Sequence, residues 1–314
     1  MLFNARPTRM TSHSSHPRRY AWVVAPLALF ALISGCAARS SPGGAGSSTG
    51  ATASPNTSPR PNPGTYRPDD LVLRVELVHG FMRENFVAQA PMVSVYGDGR
   101  VITEGPQIAI DPRPALPNLV VRHISPAGVN ALVNRALDRD VGHGRDYGQP
   151  NIYDAPSTRF TLLTDAGVLV TDVYALGVTD SHDGLTDAQR SARQMLQNLI
   201  DELTDLPRTL GPEAGEEKPY EATALAAVSR EWTEPATDRQ PQPERAWPGP
   251  ALPGEPMGRL PEVRCLTVGG AAAPTVLAAA ATATDGTPWA SGGKRWRVEF
   301  RPLLPDETSC ADLI

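Results

Sequence analysis

The sequence predicts an α+β fold: an antiparallel sheet with helices on one face, followed by a smaller α+β subdomain stapled by a disulfide. Three observations carry this. Apolar and polar residues alternate over short stretches joined by Gly- and Asp-bearing turns. Two longer stretches repeat apolar residues at helical spacing. Two cysteines, Cys265 and Cys310, bracket the last strand-like and helix-like segments. Hairpins and amphipathic helices taken together hide their apolar sides by stacking in layers.

The first folded piece spans residues 69–207. Leu71, Leu73, Val75 and Leu77 alternate with their neighbours as a strand does. Val93–Tyr96 and Arg100–Thr103 flank Gly97-Asp98-Gly99 and read as a hairpin, its glycines suited to a tight turn. Leu119–Ile124 is a further strand. Ser125-Pro126 then opens a helix, with a side-chain oxygen at the N-cap and a proline where no N–H is needed. Val129, Leu132, Val133, Ala136 and Leu137 line one stripe of it. A second hairpin runs from Phe160 through Asp165-Ala166-Gly167 to Ala175. A second helix starts at Thr186, where Gln189 stands at capping-box spacing, and ends before Pro207. Its stripe is Ala192, Met195, Leu196, Leu199 and Leu203.

Residues 208–219 are acidic, carry Gly and Pro, and read as a linker. The second piece, 220–314, offers strands at Tyr220–Val228, Cys265–Val268 and Trp296–Phe300, extended Pro-rich chain over 233–261, and an Ala-rich helix from Pro274 to about Thr284. So small a subdomain gains from a covalent staple.

Ahead of the folded part, residues 1–35 hold four arginines and no acid. An apolar run follows from Ala21 to Ile33, broken only by Pro26. It is shorter than a bilayer span and has the length of a secretory core segment. It ends in Leu32-Ile33-Ser34-Gly35-Cys36, which resembles the bacterial lipobox. The resemblance implies thioether lipidation of Cys36 and cleavage between Gly35 and Cys36. A start at Met10 gives the more compact leader. Residues 36–68 are Ser, Gly, Thr, Ala, Asn and Pro with almost nothing apolar, too little to offset the entropy of ordering, and read as a disordered tether.

Removing residues 1–35 leaves 25 basic against 34 acidic side chains, a net charge of −9. Attachment to a membrane then comes from acyl chains on Cys36 and not from a basic face. Only Lys218 and Lys294 are lysines. No basic stripe points to nucleic acid. The expected location is the outer face of the cytoplasmic membrane, or outside the cell if the anchor is absent. With Cys36 acylated, Cys265 and Cys310 remain in an oxidising compartment and are expected to bond. Their spacing has no CxxC logic, and two cysteines make a poor zinc site.

Three segments carry a wider likeness: Tyr96-Gly97-Asp98-Gly99-Arg100-Val101-Ile102, Asp154-Ala155-Pro156 with Tyr174-Ala175-Leu176-Gly177, and Arg301-Pro302-Leu303-Leu304-Pro305-Asp306-Glu307 before Cys310. The pattern over residues 69–314 resembles secreted or lipid-anchored actinobacterial proteins of uncharacterised activity. It implies an envelope location and assigns no catalytic residue.

The search for chemistry yields little. There is no GxSxG, no P-loop, no GxGxxG and no HExxH, so neither a catalytic residue, a metal site nor a cofactor is assigned. The Asp180/Asp183/Asp187 cluster lacks the glycine and glutamate of an EF-hand loop. His143 and His182 lie in Gly- and Asp-rich stretches that read first as turns. Tyr147, Tyr153, Trp232, Trp247, Trp289 and Trp296 are scattered, as core aromatics are. The sequence therefore favours an anchored binding module for an envelope protein or a cell-wall component, with an exposed apolar patch. Two alternatives stand: an envelope hydrolase in which the His143 and His182 loops converge, or a protease-inhibitor-like module presenting Pro150–Thr158.

Overall fold

A computed structural model describes residues 62–78, 88–107, 109–177, 184–234, 241–258 and 260–313. The leader, Cys36 and the chain up to Pro61 lie outside the described residues, as do His79, Asp180, His182 and Asp183. Ser58–Ile314 is one compact unit, which joins the two folded pieces expected from the sequence.

The first sheet has seven strands in the order β6-β5-β1-β2-β3-β4-β7, every neighbouring pair antiparallel. They are β1 (Leu71–Val78), β2 (Val93–Tyr96), β3 (Arg100–Glu104), β4 (Leu119–His123), β5 (Ser157–Thr164), β6 (Gly167–Tyr174) and β7 (Lys218–Pro219). In-register pairing puts Leu73, Val95 and Leu162 on one face with Val75, Val93 and Phe160. Helices α1 (Pro126–Asp138) and α2 (Asp187–Thr204) cover that face. Their stripes, Val129, Leu132 and Val133 with Leu196, Leu199 and Leu203, complete one core. This is the predicted sheet with helices on one side.

Local signals set the boundaries. Ser125 Oγ accepts the Gly128 N–H at 3.1 Å and caps α1. Thr186 and Gln189 form both arms of the capping box, at 3.2 and 2.8 Å. Gly99, in the β2–β3 turn, has φ +90 and hands its carbonyl to the Ile124 N–H at 2.9 Å. A side chain there would run into the Ile124 carbonyl, so only glycine lets β3 and the end of β4 close up.

The segment read as a linker, 208–219, is instead structured. It holds the end of the short helix α3 (Leu206–Leu210), a 3-10 turn at Gly211–Ala214, and β7, which pairs with β4. Pro207 sits in the first turn of α3, where its missing N–H costs nothing, so it starts a second helix as well as stopping the first. Residues 62–68, read as part of the tether, belong to the folded unit. Pro63 bridges to Thr164, and the Asn62 N–H donates to Asp165 at 3.0 Å.

The second sheet has the order β10-β11-β8-β13-β12-β9. Its strands are β8 (Leu225–Glu231), β9 (Arg245–Ala246), β10 (Glu255–Met257), β11 (Leu260–Val268), β12 (Trp289–Ser291) and β13 (Lys294–Pro302). Only β12 and β9 run parallel. Helix α4 (Ala273–Ala281) packs Val276 and Ala280 against a core holding Trp247, Trp289 and Phe300. Trp247 and Trp289 meet edge to face at 5.6 Å, so the scattered aromatics are mostly interior. The disulfide Cys265–Cys310 ties β11 to the C-terminal turn.

The loop between β3 and β4 reaches the turn that follows α4, where Pro114 bridges to Thr284 and Ala115 N–H donates to Ala283 O at 3.1 Å. In return, the chain leaving β13 crosses the bare back of the first sheet. Leu304 packs there among Tyr96, Ile102 and Leu119.

Candidate functional site

The richest polar chemistry in the molecule lies where that C-terminal segment meets the first sheet. Arg74, on β1, points away from the helices. Its Nε donates to Ser94 at 3.0 Å and its Nη2 to Asp306 at 2.8 Å. Tyr96 donates its hydroxyl to the same Asp306 oxygen at 2.6 Å. Next to them, Arg301 Nη2 meets Glu307 at 2.8 Å, while the second Glu307 oxygen accepts the Leu304 N–H at 2.8 Å. Tyr220 donates to Leu303 O at 2.8 Å and closes the cluster from the β7 side.

Electrostatically the cluster balances, with two guanidinium groups against two carboxylates. Burial works against the charge on Arg74, yet Asp306, Tyr96 and Glu307 more than compensate and its pKa is raised. Burial lowers the Arg301 pKa and raises that of Glu307, so desolvation outweighs their mutual attraction. Burial also raises the Tyr96 pKa, and pushes Tyr220 up to about 12. Every group has a partner. The arrangement locks the two sheets together. It unites two of the three segments that carry the sequence likeness, Tyr96–Ile102 and Arg301–Glu307.

The third segment has a similar use. Tyr174 donates to Ile152 O at 2.9 Å and accepts the Ala155 N–H at 3.2 Å, bracing the loop before β5. Arg193, buried on α2, donates to the carbonyls of Tyr147, Tyr174 and Ala175. The loop read as Pro150–Thr158 enters β5 at Ser157, and its exposed side chains are Asn151, Tyr153 and Asp154.

His143 lies exposed in its loop, with Nδ1 3.2 Å from its own Val141 carbonyl. Asp140 is paired with Arg145. Asp146 accepts from the Gly148 N–H and the Gln189 amide, which hold its carboxyl below the usual range. These carboxylates are thus committed to shaping the loop. His182 lies outside the described residues, so the predicted meeting of the two histidine loops has no geometry. Among the described residues no group of three or more His, Cys, Asp or Glu side chains is placed to hold a metal ion. An open cavity of about 450 Å³ lies between α1, α2 and α3, lined by Arg135, Asn198, Asp201, Glu202, Arg208 and Thr209. Arg135 and Arg139 both spend their charge on Glu202 there.

A surface feature stands apart. The β5–β6 hairpin buries Phe160 and Leu162 toward the helices, which turns Leu163, Val168 and Val170 to the other side. Val168 is 63% exposed and Val170 50%. Beside them Arg159 and Asp172 form a two-pronged pair at 2.8 Å. This is the one stretch of the first sheet's back, among the described residues, that shows large apolar side chains to solvent. It adjoins Asn62 and Pro63, the first of the described residues. Sequence alternation alone signals that β6 has an outward row; it does not signal that nothing covers the row.

No protein-family model matches the chain, and no curated protein and no solved structure matches it. Among the described residues no helix is long and apolar enough to cross a membrane.

Proposed function

We propose that this chain is a lipid-anchored binding protein of the cell envelope, held on the outer face of the cytoplasmic membrane by acyl chains on Cys36. Its folded unit presents a surface to another envelope protein or a cell-wall component. The leader supports the anchor: arginines, a short apolar run, then Ile33-Ser34-Gly35-Cys36. The observation that carries the binding role is the exposed valine row of β6 beside Asn62, since isolated apolar pairs on a strand edge serve association more readily than chemistry. Labelled palmitate supplied to the producing cell should appear on the wild-type chain and not on Cys36→Ser, which should leave the membrane fraction. An unlabelled wild-type chain that retains its leader removes the proposal.

One observation favours a second reading, that of a protease-inhibitor-like module. Tyr153 is 92% exposed on a loop braced by Tyr174. Inhibition of a secreted protease that disappears in Tyr153→Ala supports it; full inhibition by that variant, or none by the wild type, removes it.

A further inference from the structure

We propose that β6 is the pairing edge for a second copy of this chain, the two copies joining their seven-stranded sheets across a two-fold axis at Leu169. The inference deepens the binding role just assigned and rests on it for the choice of surface.

The four sheet edges are built differently. At the far end of the first sheet, β7 is two residues long, Lys218 and Pro219. In the second sheet, β10 is Glu255-Pro256-Met257 with a register shift, and β9 is only Arg245–Ala246. Short length, proline, lysine and irregular register are the devices that stop a sheet from adding strands. The remaining edge, β6, has none of them. It runs for eight residues in unbroken register against β5, with no proline and no lysine.

The ladder is also ready. Thr164 and Gly167 close the two-residue turn, so pairing alternates from there. The N–H and C=O groups of Gly167, Leu169 and Thr171 face β5. Those of Val168, Val170 and Asp172 face outward, and no described strand takes them up.

Self-complementarity selects the occupant. An antiparallel two-fold centred on Leu169 sets Val168 of one copy opposite Val170 of the other, twice, as hydrogen-bonded pairs. The four valines then form one apolar row across the joint, extended by Leu163 on each side. A centre at Val170 would instead press Val168 against Asp172. The only charge on the outward row is Asp172, and Arg159 neutralises it within each copy. The chain's own N-terminal side is a poor occupant, because Pro55, Pro59 and Pro61 have no N–H to donate.

The test uses the full chain in detergent. Sedimentation velocity should give a dimer. Val168→Lys with Val170→Lys should give a monomer that still unfolds cooperatively, because both side chains are exposed in the single chain, and its melting temperature should no longer depend on protein concentration. Register is read by cysteine pairing: Val168→Cys mixed with Val170→Cys should cross-link on oxidation, and neither alone should do so. A wild-type monomer at all concentrations, a dimer indifferent to the lysines, or capture of a foreign peptide at this edge by a monomeric chain overturns the inference. An acylated monomer sinks the pairing and leaves the anchor standing. An unacylated dimer sinks the anchor and leaves the pairing.

Discussion

Arg301 Nη2 lies 2.8 Å from Glu307 Oε1, with 1% and 4% of the two side chains exposed. The pair turns the chain back on itself just after β13 and presents Asp306 to Arg74, 232 residues away. A buried pair of this kind is expensive to break from one side, since the remaining charge has lost both water and partner.

Glu307→Leu leaves Arg301 charged and is expected to cost about 3–5 kcal/mol at any pH in the working range. Arg301→Met leaves Glu307, whose pKa is already raised by burial. That carboxyl can take up a proton. A carboxyl whose folded-state pKa is raised costs the fold least when protonated, so the deficit of Arg301→Met should shrink as pH falls through the carboxylate range. Urea denaturation of both variants at neutral and mildly acid pH checks this. Equal pH dependence in the two would contradict it.

Tyr220 supplies a test on the alkaline side. Its pKa is pushed up to about 12 by burial. An unfolded tyrosine ionises near pH ~10. Between those values the unfolded state binds fewer protons, so stability is lost as pH rises through the interval. Tyr220→Phe should flatten that slope while giving up the bond to Leu303 O, at a cost of about 1 kcal/mol. Denaturation midpoints measured across the alkaline range show whether the slope changes.

Thr186→Ala removes one arm of the capping box: the Gln189 backbone N–H loses its side-chain acceptor, while the Gln189 side chain keeps the N–H of residue 186. About 1 kcal/mol of stability should go. Thr186→Asp, which keeps an acceptor at the N-cap, should recover most of it. Thermal melts of the two variants separate the cap from any effect of lost volume.

These caps were legible in the sequence because each involves residues a few positions apart. The same is true of the Asp165-Ala166 turn and of the helix stripes at Val129–Leu137 and Ala192–Leu203. Arg193 was not legible, for it sits within a stripe whose apolar members give no sign that a guanidinium will be buried among them to hold loop carbonyls. Nor was β7, whose two residues have no period and become a strand only because β4 has a free side. The lock between Arg74 and Asp306 left a trace, in the Arg301–Glu307 motif, but a motif gives composition and not the strand that receives it. The bare edge of β6 follows from the absence of a neighbour, and strand order is a property of the whole sheet.

Cys265→Ala with Cys310→Ala is the most direct test of the export account that does not touch the leader. The bond closes a loop with a sequence separation of 45, for which chain entropy gives about 4 kcal/mol. It also holds the Thr267–Cys310 contact that seats the C-terminal turn on β11, since Cys310 N–H donates to Thr267 Oγ1 at 3.0 Å. The turn follows directly on Asp306 and Glu307, so losing the staple should loosen the lock first. The double variant is therefore expected to lose up to about that amount in denaturant unfolding, and to show faster amide exchange at Leu304 and Glu307 than in the α1–α2 core. Reductant should bring the wild type to the same midpoint. Wild-type protein taken from the cell with both thiols free and alkylatable would mean that the chain folds in a reducing compartment, and the anchor at Cys36 would lose its setting.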